Sequence, residues 1–414
     1  MINITSSKKI AGTIKNSPED FVVQEIALNG SVIEANKVYT SSMLGMDNPD
    51  GKFAVFVLQK KDWNTIQALR AIAKKFRRGI KSVGFAGTKD RTSISTQLCS
   101  LYGVKSEELQ KIHIKDIQIN GAWNSSNAVK LGDLLGNKFE VLIRGVSEND
   151  YSIAKDIKEE LDSLGVFPNY FGDQRFGVRK NNFEIGLSML KGDFESAAMR
   201  FLTDSSNELS TDAVEARKRL IEEMDFKKAL NYFPRYLKYE RFVIEYLSKY
   251  PGNYANAIRR LPRTLSLMFV HSVEDTIFNR ELEHRLKEHR IAPEHGDMVC
   301  SISGKFYDLK STHIFENIEE NVIPVANIVG YDSKPNEFEK NMLEELGLSL
   351  EDFKLNGMPE LNCKGSFRAL FAPFKDLSLS HTSSDEVLKL AFSLPSGSYA
   401  TVFIDEFLKQ SITL

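Results

Sequence analysis

The sequence predicts a multidomain α+β chain in which one domain is inserted into another. Three observations carry that prediction. At 414 residues the chain exceeds one compact core, and a prior of ~150 residues per domain gives two or three. The first 166 residues alternate short apolar, β-branched or aromatic runs with a helical period. From about residue 167 the pattern turns helical, and strand-like text returns only near the C-terminal end.

In chain order, DFVVQEI (20–26) and FAVFVLQK (53–60) predict strands. Asn64 can cap a helix whose apolar face is Ile66, Leu69, Ile72, Ala73 and Phe76, and Gly79 stands where a glycine would end it. IKSVGFA (80–86) predicts a buried strand running into the loop Gly87-Thr88-Lys89-Asp90-Arg91. Further strands are expected over 93–104 and 138–146, and a helix over 150–163. Residues 181–292 read as helices interrupted at Pro234, Pro251 and Pro262. Residues 316–352 are rich in acids, and 390–408 read as strand. No repeat of fixed period and no low-complexity tract is present.

Composition narrows the function. Apolar residues at 42% and charged residues at 27% exclude global disorder. The net charge of −2 excludes a bulk electrostatic glove for nucleic acid, but a local one exists. Between 52 and 105 twelve cations face only Asp62 and Asp90, the kind of cluster that neutralises phosphates or simply forms a solvated helix face. A smaller group, Arg259, Arg260 and Arg263, lies beside Tyr254. The odd, widely spaced Cys99, Cys300 and Cys363 make neither a disulfide framework nor a CxxC knuckle, which fits a reducing cytoplasm. The first residues lack the apolar segment of a signal peptide, and no run reaches the ~18 apolar residues of a membrane span. A cytoplasmic protein is expected.

Several familiar motifs fail. GDLLGNK (132–138) has the wrong glycine spacing for a phosphate-binding loop, and Asn137 stands where its lysine belongs. The seven histidines show no HExxH and no Cys/His spacing, so no metal is expected. No GxSxG elbow is present. What remains is Asp90, on a glycine-started turn after a predicted strand, between Lys89 and Arg91. Flanking cations favour an ionised carboxylate able to act as base or nucleophile; a plain turn cap is the alternative. VFPNYFGDQRFG (166–177) is the other dense cluster, suited to unstacked bases or to an aromatic hinge.

These residues resemble a known family. GFAGTKDRTSISTQ (84–97) is similar to the signature of the TruD family of tRNA pseudouridine synthases. KNSPEDFVVQEI (15–26), LGDLLGNKFEVLIRGV (131–146), VFPNYFGDQRFG, SVEDTIFNRELEHRL (272–286), GSFRAL (365–370) and LPSGSYATVFIDEFL (394–408) resemble its other blocks, in order. The length of the insertion is closer to archaeal members than to compact bacterial ones. The resemblance implies a pseudouridine-synthase-type catalytic domain with a mixed, largely antiparallel sheet, in parts 1–166 and 371–414. A family-specific α/β domain, 167–370, would interrupt it. The reaction implied is isomerisation of a tRNA uridine, favoured at position 13, with no cofactor, no metal, no membrane and no protein partner.

By the same resemblance Asp90 is the catalytic aspartate and Lys15 its ion-pair partner. Phe139 is placed to stack on the flipped uracil. Asn137 would orient the loop or bond the uracil edge, Gln97 would support the loop, and Phe21 would line the pocket or pack beneath it. Tyr399 would contact uracil. Asn169, Gln174, Arg175 and Arg368 would be cleft or hinge residues, and Lys89 and Arg91 would meet phosphate. Two other readings compete: an RNA-binding or RNA-folding factor with weak or no catalysis, and a synthase acting on another tRNA or non-tRNA uridine. A hydrolytic nuclease lacks the second carboxylate and metal cluster it would need.

Overall fold

The computed structural model describes residues 1–46, 51–302, 306–317 and 321–409. The strands are, in chain order, β1 (Phe21–Ile26), β2 (Phe53–Lys61), β3 (Val83–Phe85), β4 (Ile94–Tyr102), β5 (Ile117–Ser125), β6 (Gly136–Arg144) and β7 (Val166–Pro168). After a helical region come β8 (Met298–Ser301), β9 (Asp308–Ile314), β10 (Val322–Ile328), β11 (Ser366–Ala369), β12 (Phe371–Pro373), β13 (Lys375–Thr382) and β14 (Val387–Pro395). The main sheet runs β13-β14-β6-β1-β4-β2-β5, with β3 also on β4. Only the β1–β4 pair is parallel, so this is a mixed, largely antiparallel sheet and the fold is α+β.

Period-two alternation explains the centre of the sheet. On β2, Ala54, Phe56 and Leu58 face one way, onto Ala68, Leu69, Ile72 and Ala73 of the helix Thr65–Lys75. Val55 and Val57 face the other way, onto Ile33, Tyr39 and Leu44. Because both faces are covered, the strand reads as a continuous apolar run. Asn64 caps the helix as expected, its Oδ1 accepting the N–H groups of Ile66 at 2.9 Å and Gln67 at 3.4 Å.

Three expectations need correction. Gly79 is extended (φ −90°), and it is Arg77 at φ 53° that takes the left-handed turn after the helix. The expected buried strand 80–86 is a 3-10 turn, Ile80–Ser82, followed by the half-buried three-residue β3. It is short because β1 takes Ile94–Thr96 along the β4 edge, leaving only Cys99–Leu101 for β3. Finally, the strand reading of 390–408 holds only to Pro395: Ala400–Leu408 is a helix with every residue but Thr401 buried. A helix covered all round has no polar stripe to reveal its period.

The middle of the chain is helical. Pro234 and Pro251 follow the helices Phe226–Tyr232 and Lys238–Lys249, and Pro262 precedes the 25-residue helix Arg263–Lys287. These helices share one apolar cluster, which includes Ile185, Leu220, Val243 and Phe269. A second antiparallel sheet, β11-β10-β8-β9, follows. The acidic stretch 316–352 contributes β10 and the helix Glu337–Leu346; Glu319 and Glu320 lie outside the described residues. The chain leaves and re-enters the first region through adjacent strands, since β7 pairs with β12 (Phe167 opposite Ala372). No helix among the described residues is long and apolar enough to cross a membrane.

Candidate active site

Asp90 sits on the loop between β3 and β4, and that loop is fixed from several sides. Lys60 on β2 is fully buried and donates to the Asp90 carbonyl at 2.7 Å, where the Ser93 hydroxyl also donates at 2.8 Å. Gln97 donates to the Gly87 carbonyl at 2.9 Å. The Thr65 hydroxyl accepts the Lys89 N–H at 3.0 Å and donates to Gln97 Oε1 at 3.2 Å. A loop whose polar backbone is satisfied this fully holds its side chains in one place.

The Asp90 carboxylate itself remains one-third exposed and meets Lys15 Nζ at 2.6 Å. Lys15 adopts φ 60°, a left-handed conformation uncommon for a non-glycine residue, and its ammonium lies 4.3 Å from the centroid of the Phe21 ring. Phe21 in turn meets Phe139 edge-on at 6.1 Å. Burial pushes the Lys60 amine down to about 8, against the opposing pull of Asp90.

The two cations that flank Asp90 in sequence are not the ones that meet it. Lys89 points inward to a buried ion pair with Glu25 at 2.7 Å, and Glu25 also accepts the Leu98 N–H at 3.0 Å. That geometry corrects the expectation that Lys89 meets phosphate. Arg91 is exposed and pairs with Asp62 at 3.3 Å, so it stays available at the surface. Gln97 is fully buried, and its amide braces the loop through Gly87 and the helix through Thr65. Phe139 also differs from expectation: it is 6% exposed, and its ring stacks on Phe392 at 5.3 Å. In this conformation the ring is packed into the core and not presented to a base. Asn137, opposite Glu25 and Leu394 in the sheet, has a buried Oδ1 without a hydrogen-bond partner.

The remaining candidates form a second group around β7, β11 and the start of the last helix. Arg368 is buried; its guanidinium donates to Asn169 Oδ1 at 2.8 Å, to the Asn169 carbonyl at 3.0 Å and to the Gly397 carbonyl at 3.0 Å. It also lies 4.1 Å from the Phe171 ring centroid. Arg175 donates to the Tyr399 hydroxyl at 3.0 Å and pairs with Asp275 at 3.4 Å. Gln174 is exposed on a 3-10 turn. Asn279, from the long helix, clasps the Phe171 backbone at both ends (2.8 and 3.1 Å). These contacts join the first region, the long helix and the closing segment. A groove of about 670 Å³ runs between Leu134, Leu135 and Pro395 on one side and Tyr307, Asp308 and Lys310 on the other.

Of the basic clusters, Arg70, Lys74, Lys75, Arg77 and Lys81 are exposed and form no ion pair among the described residues. The second cluster is partly committed: Arg259 pairs with Glu360 at 2.7 Å, and Arg263 donates to the Glu360 carbonyl at 2.9 Å.

The comparisons with known proteins bear on the fold and the family. A solved structure from Methanosarcina mazei, assigned as a tRNA pseudouridine synthase D, superposes with a TM-score of 0.76 at 29% identity, covering 99% of this chain and 96% of that one. A Thermococcus onnurineus protein assigned the same name is 35% identical over 421 residues, 97% of this chain and 95% of its own length. One from Thermococcus sibiricus is 33% identical over 431 residues, 98% and 97% of the two chains. Fold and relatives place the chain among the pseudouridine synthases, a class of isomerases. Within that class, the family described as tRNA pseudouridine synthase D (TruD) matches residues 2–407. The chain belongs to that family.

Proposed function

We propose that the chain converts uridine to pseudouridine in tRNA, at position 13, with Asp90 as the catalytic carboxylate. One observation carries the reading: the Lys15–Asp90 pair at 2.6 Å over the Phe21 ring, on a loop braced by Lys60. In the reaction the N1–C1′ bond breaks, the base turns, and C5 joins C1′. C5 loses a proton and N1 gains one, so no oxidant or group donor is consumed. A carboxylate drives this either by attacking C1′ or by taking the C2′ proton. Lys15 aims Asp90 and balances its charge. The unpartnered Oδ1 of Asn137 is suited to accept the uracil N3–H, and the Phe21 and Phe139 rings form an apolar floor beneath the pair. Arg91, Tyr399 and Arg175 line the approach of the strand. The insertion would comprise 167–370, and the groove beside Pro395 would take the RNA between it and the catalytic domain, 1–166 with 371–414. The relatives' names support tRNA as substrate; position 13 rests on the bacterial members of the family.

The test is pseudouridine mapping on unmodified tRNA transcripts by carbodiimide labelling and primer extension. Wild type is expected to give one stop, reporting uridine 13, and Asp90→Asn none despite unchanged RNA affinity. Its single-turnover rate should fall more than ~10³-fold, and Lys15→Met should lose less. The double variant should be no slower than Asp90→Asn, because Lys15 acts through it. A stop elsewhere keeps the chemistry and overturns the position. No stop on any tRNA, with binding intact, favours a binding factor or another RNA.

A further inference from the structure

The helix Arg263–Lys287 carries His271 and Glu274 three residues apart, hence on one face. Against that face lies Cys363, in the segment that leads into β11. Its backbone is fixed at both ends: the N–H donates to the Phe353 carbonyl and the carbonyl accepts from Tyr331, each at 3.0 Å. One ligand atom from each of the three side chains lies within 4.8 Å of the other two. Glu274 is 4% exposed and Cys363 7%, while His271 is half-buried. The carboxylate oxygen Glu274 Oε1 is buried with no hydrogen-bond partner. That oxygen faces a thiol and an imidazole, two further atoms of the kind a metal ion takes as ligands.

We propose that His271, Glu274 and Cys363 bind a borderline-soft divalent cation of the zinc class. Imidazole nitrogen, thiolate sulfur and carboxylate oxygen are the donors such ions take, whereas magnesium and calcium prefer oxygen alone. With metal–ligand distances of about 2.0–2.3 Å and tetrahedral angles, neighbouring ligand atoms stand about 3.5 Å apart, so the present separations close by side-chain rotation. Thiolate and carboxylate together neutralise a dication, and binding displaces whatever protons they carry. His271, the least buried of the three, is the side from which an ion and a water as fourth ligand would enter. The ion staples the segment 353–365 to the long helix, beside Asp275 and N-terminal to Asn279, which hold Arg175 and Phe171. The histidine pattern of the sequence hides this site, because Cys363 follows Glu274 by 89 residues. The proposal is independent of the reaction.

The experiment uses the full-length protein, purified without chelator and dialysed against metal-free buffer, then measured by elemental analysis. A second sample is stripped and titrated with cobalt(II). The site predicts about one zinc per chain and a sulfur-to-cobalt charge-transfer band in the near ultraviolet. Cys363→Ser should abolish the band, and His271→Gln and Glu274→Gln should each weaken zinc binding at least about tenfold. Circular dichroism confirms that each variant is folded; His271→Gln, at the least buried of the three positions, carries the test if the buried substitutions unfold the chain. Folded wild type holding less than about a tenth of an equivalent after zinc supplementation would overturn the site. So would a cobalt spectrum unchanged in Cys363→Ser, or zinc affinity unchanged in His271→Gln.

Discussion

Lys60 stands directly beneath Asp90, yet its own sequence context marks it only as the polar end of an apolar strand. A lysine ammonium with no exposure is held there by the carbonyl it binds, and burial lowers its proton affinity to about 8. Its charge is therefore lost as pH rises through about 8. Because the unfolded chain holds that proton up to about 10.5, stability gained from losing it accrues between those two values. Lys60→Met is expected to lower kcat by about 10- to 100-fold with little change in KM for RNA, and to remove a fall in kcat above pH 8. A KM effect alone would make Lys60 merely structural. Phe139 separates two roles in the same way. Read as floor, Phe139→Leu costs about 1 kcal/mol in denaturant unfolding and keeps turnover within about tenfold. Unchanged stability with lost turnover would return the ring to base stacking. The sequence made Asp90 and Lys15 visible as motif residues, and the structure brings them together. Glu25, Thr65 and Lys60 were invisible as loop supports because each is a polar residue whose partner is many residues away.

At the level of elements, local signals were legible wherever a residue acts on its own neighbourhood. Asn64 at a helix start and the prolines between helices are of that kind. The errors fall where tertiary burial decides, as in the all-buried helix Ala400–Leu408 and the truncated β3. The turn before β1 shows such a tertiary tie that can be measured. Asp20 is buried at the end of the turn Pro18–Asp20 and receives Arg144 of β6 through Nη2 at 2.6 Å and Nε at 3.1 Å. Arg144 holds its carboxyl below the usual 3.8. A lowered folded value means stability present above that pH and lost as the pH falls below it. Asp20→Asn is expected to cost about 1–3 kcal/mol at pH 7 and to flatten the acid limb of the stability profile. An unchanged acid limb would show that the pair contributes nothing.

Over the whole molecule, charge is nearly balanced, but Arg70, Lys74, Lys75, Arg77 and Lys81 are all exposed within twelve residues of chain. If they meet tRNA phosphates, replacing Arg70, Lys74 and Lys81 by Gln should weaken RNA binding and reduce the slope of log K against log salt by up to about 2. A slope equal to wild type would make them a solvated face. The break near residue 167 and the return of strand text were legible in the sequence, and Arg368 was singled out only through the family resemblance, because a buried arginine serving backbone carbonyls has no sequence pattern of its own.

The order of the main sheet also bears on how the chain is made. β14 fills the gap between β13 and β6, and the last helix holds the N-terminus, with Glu406 accepting the N–H groups of Ile4 and Thr5. During synthesis the first 145 residues therefore emerge with one edge of β6 unpaired and its core face uncovered. The helical cluster of the middle region can close long before that edge does. A ribosome carrying this chain exposes a sticky strand until β14 leaves the exit tunnel, so truncations before residue 387 should aggregate even though everything upstream is intact.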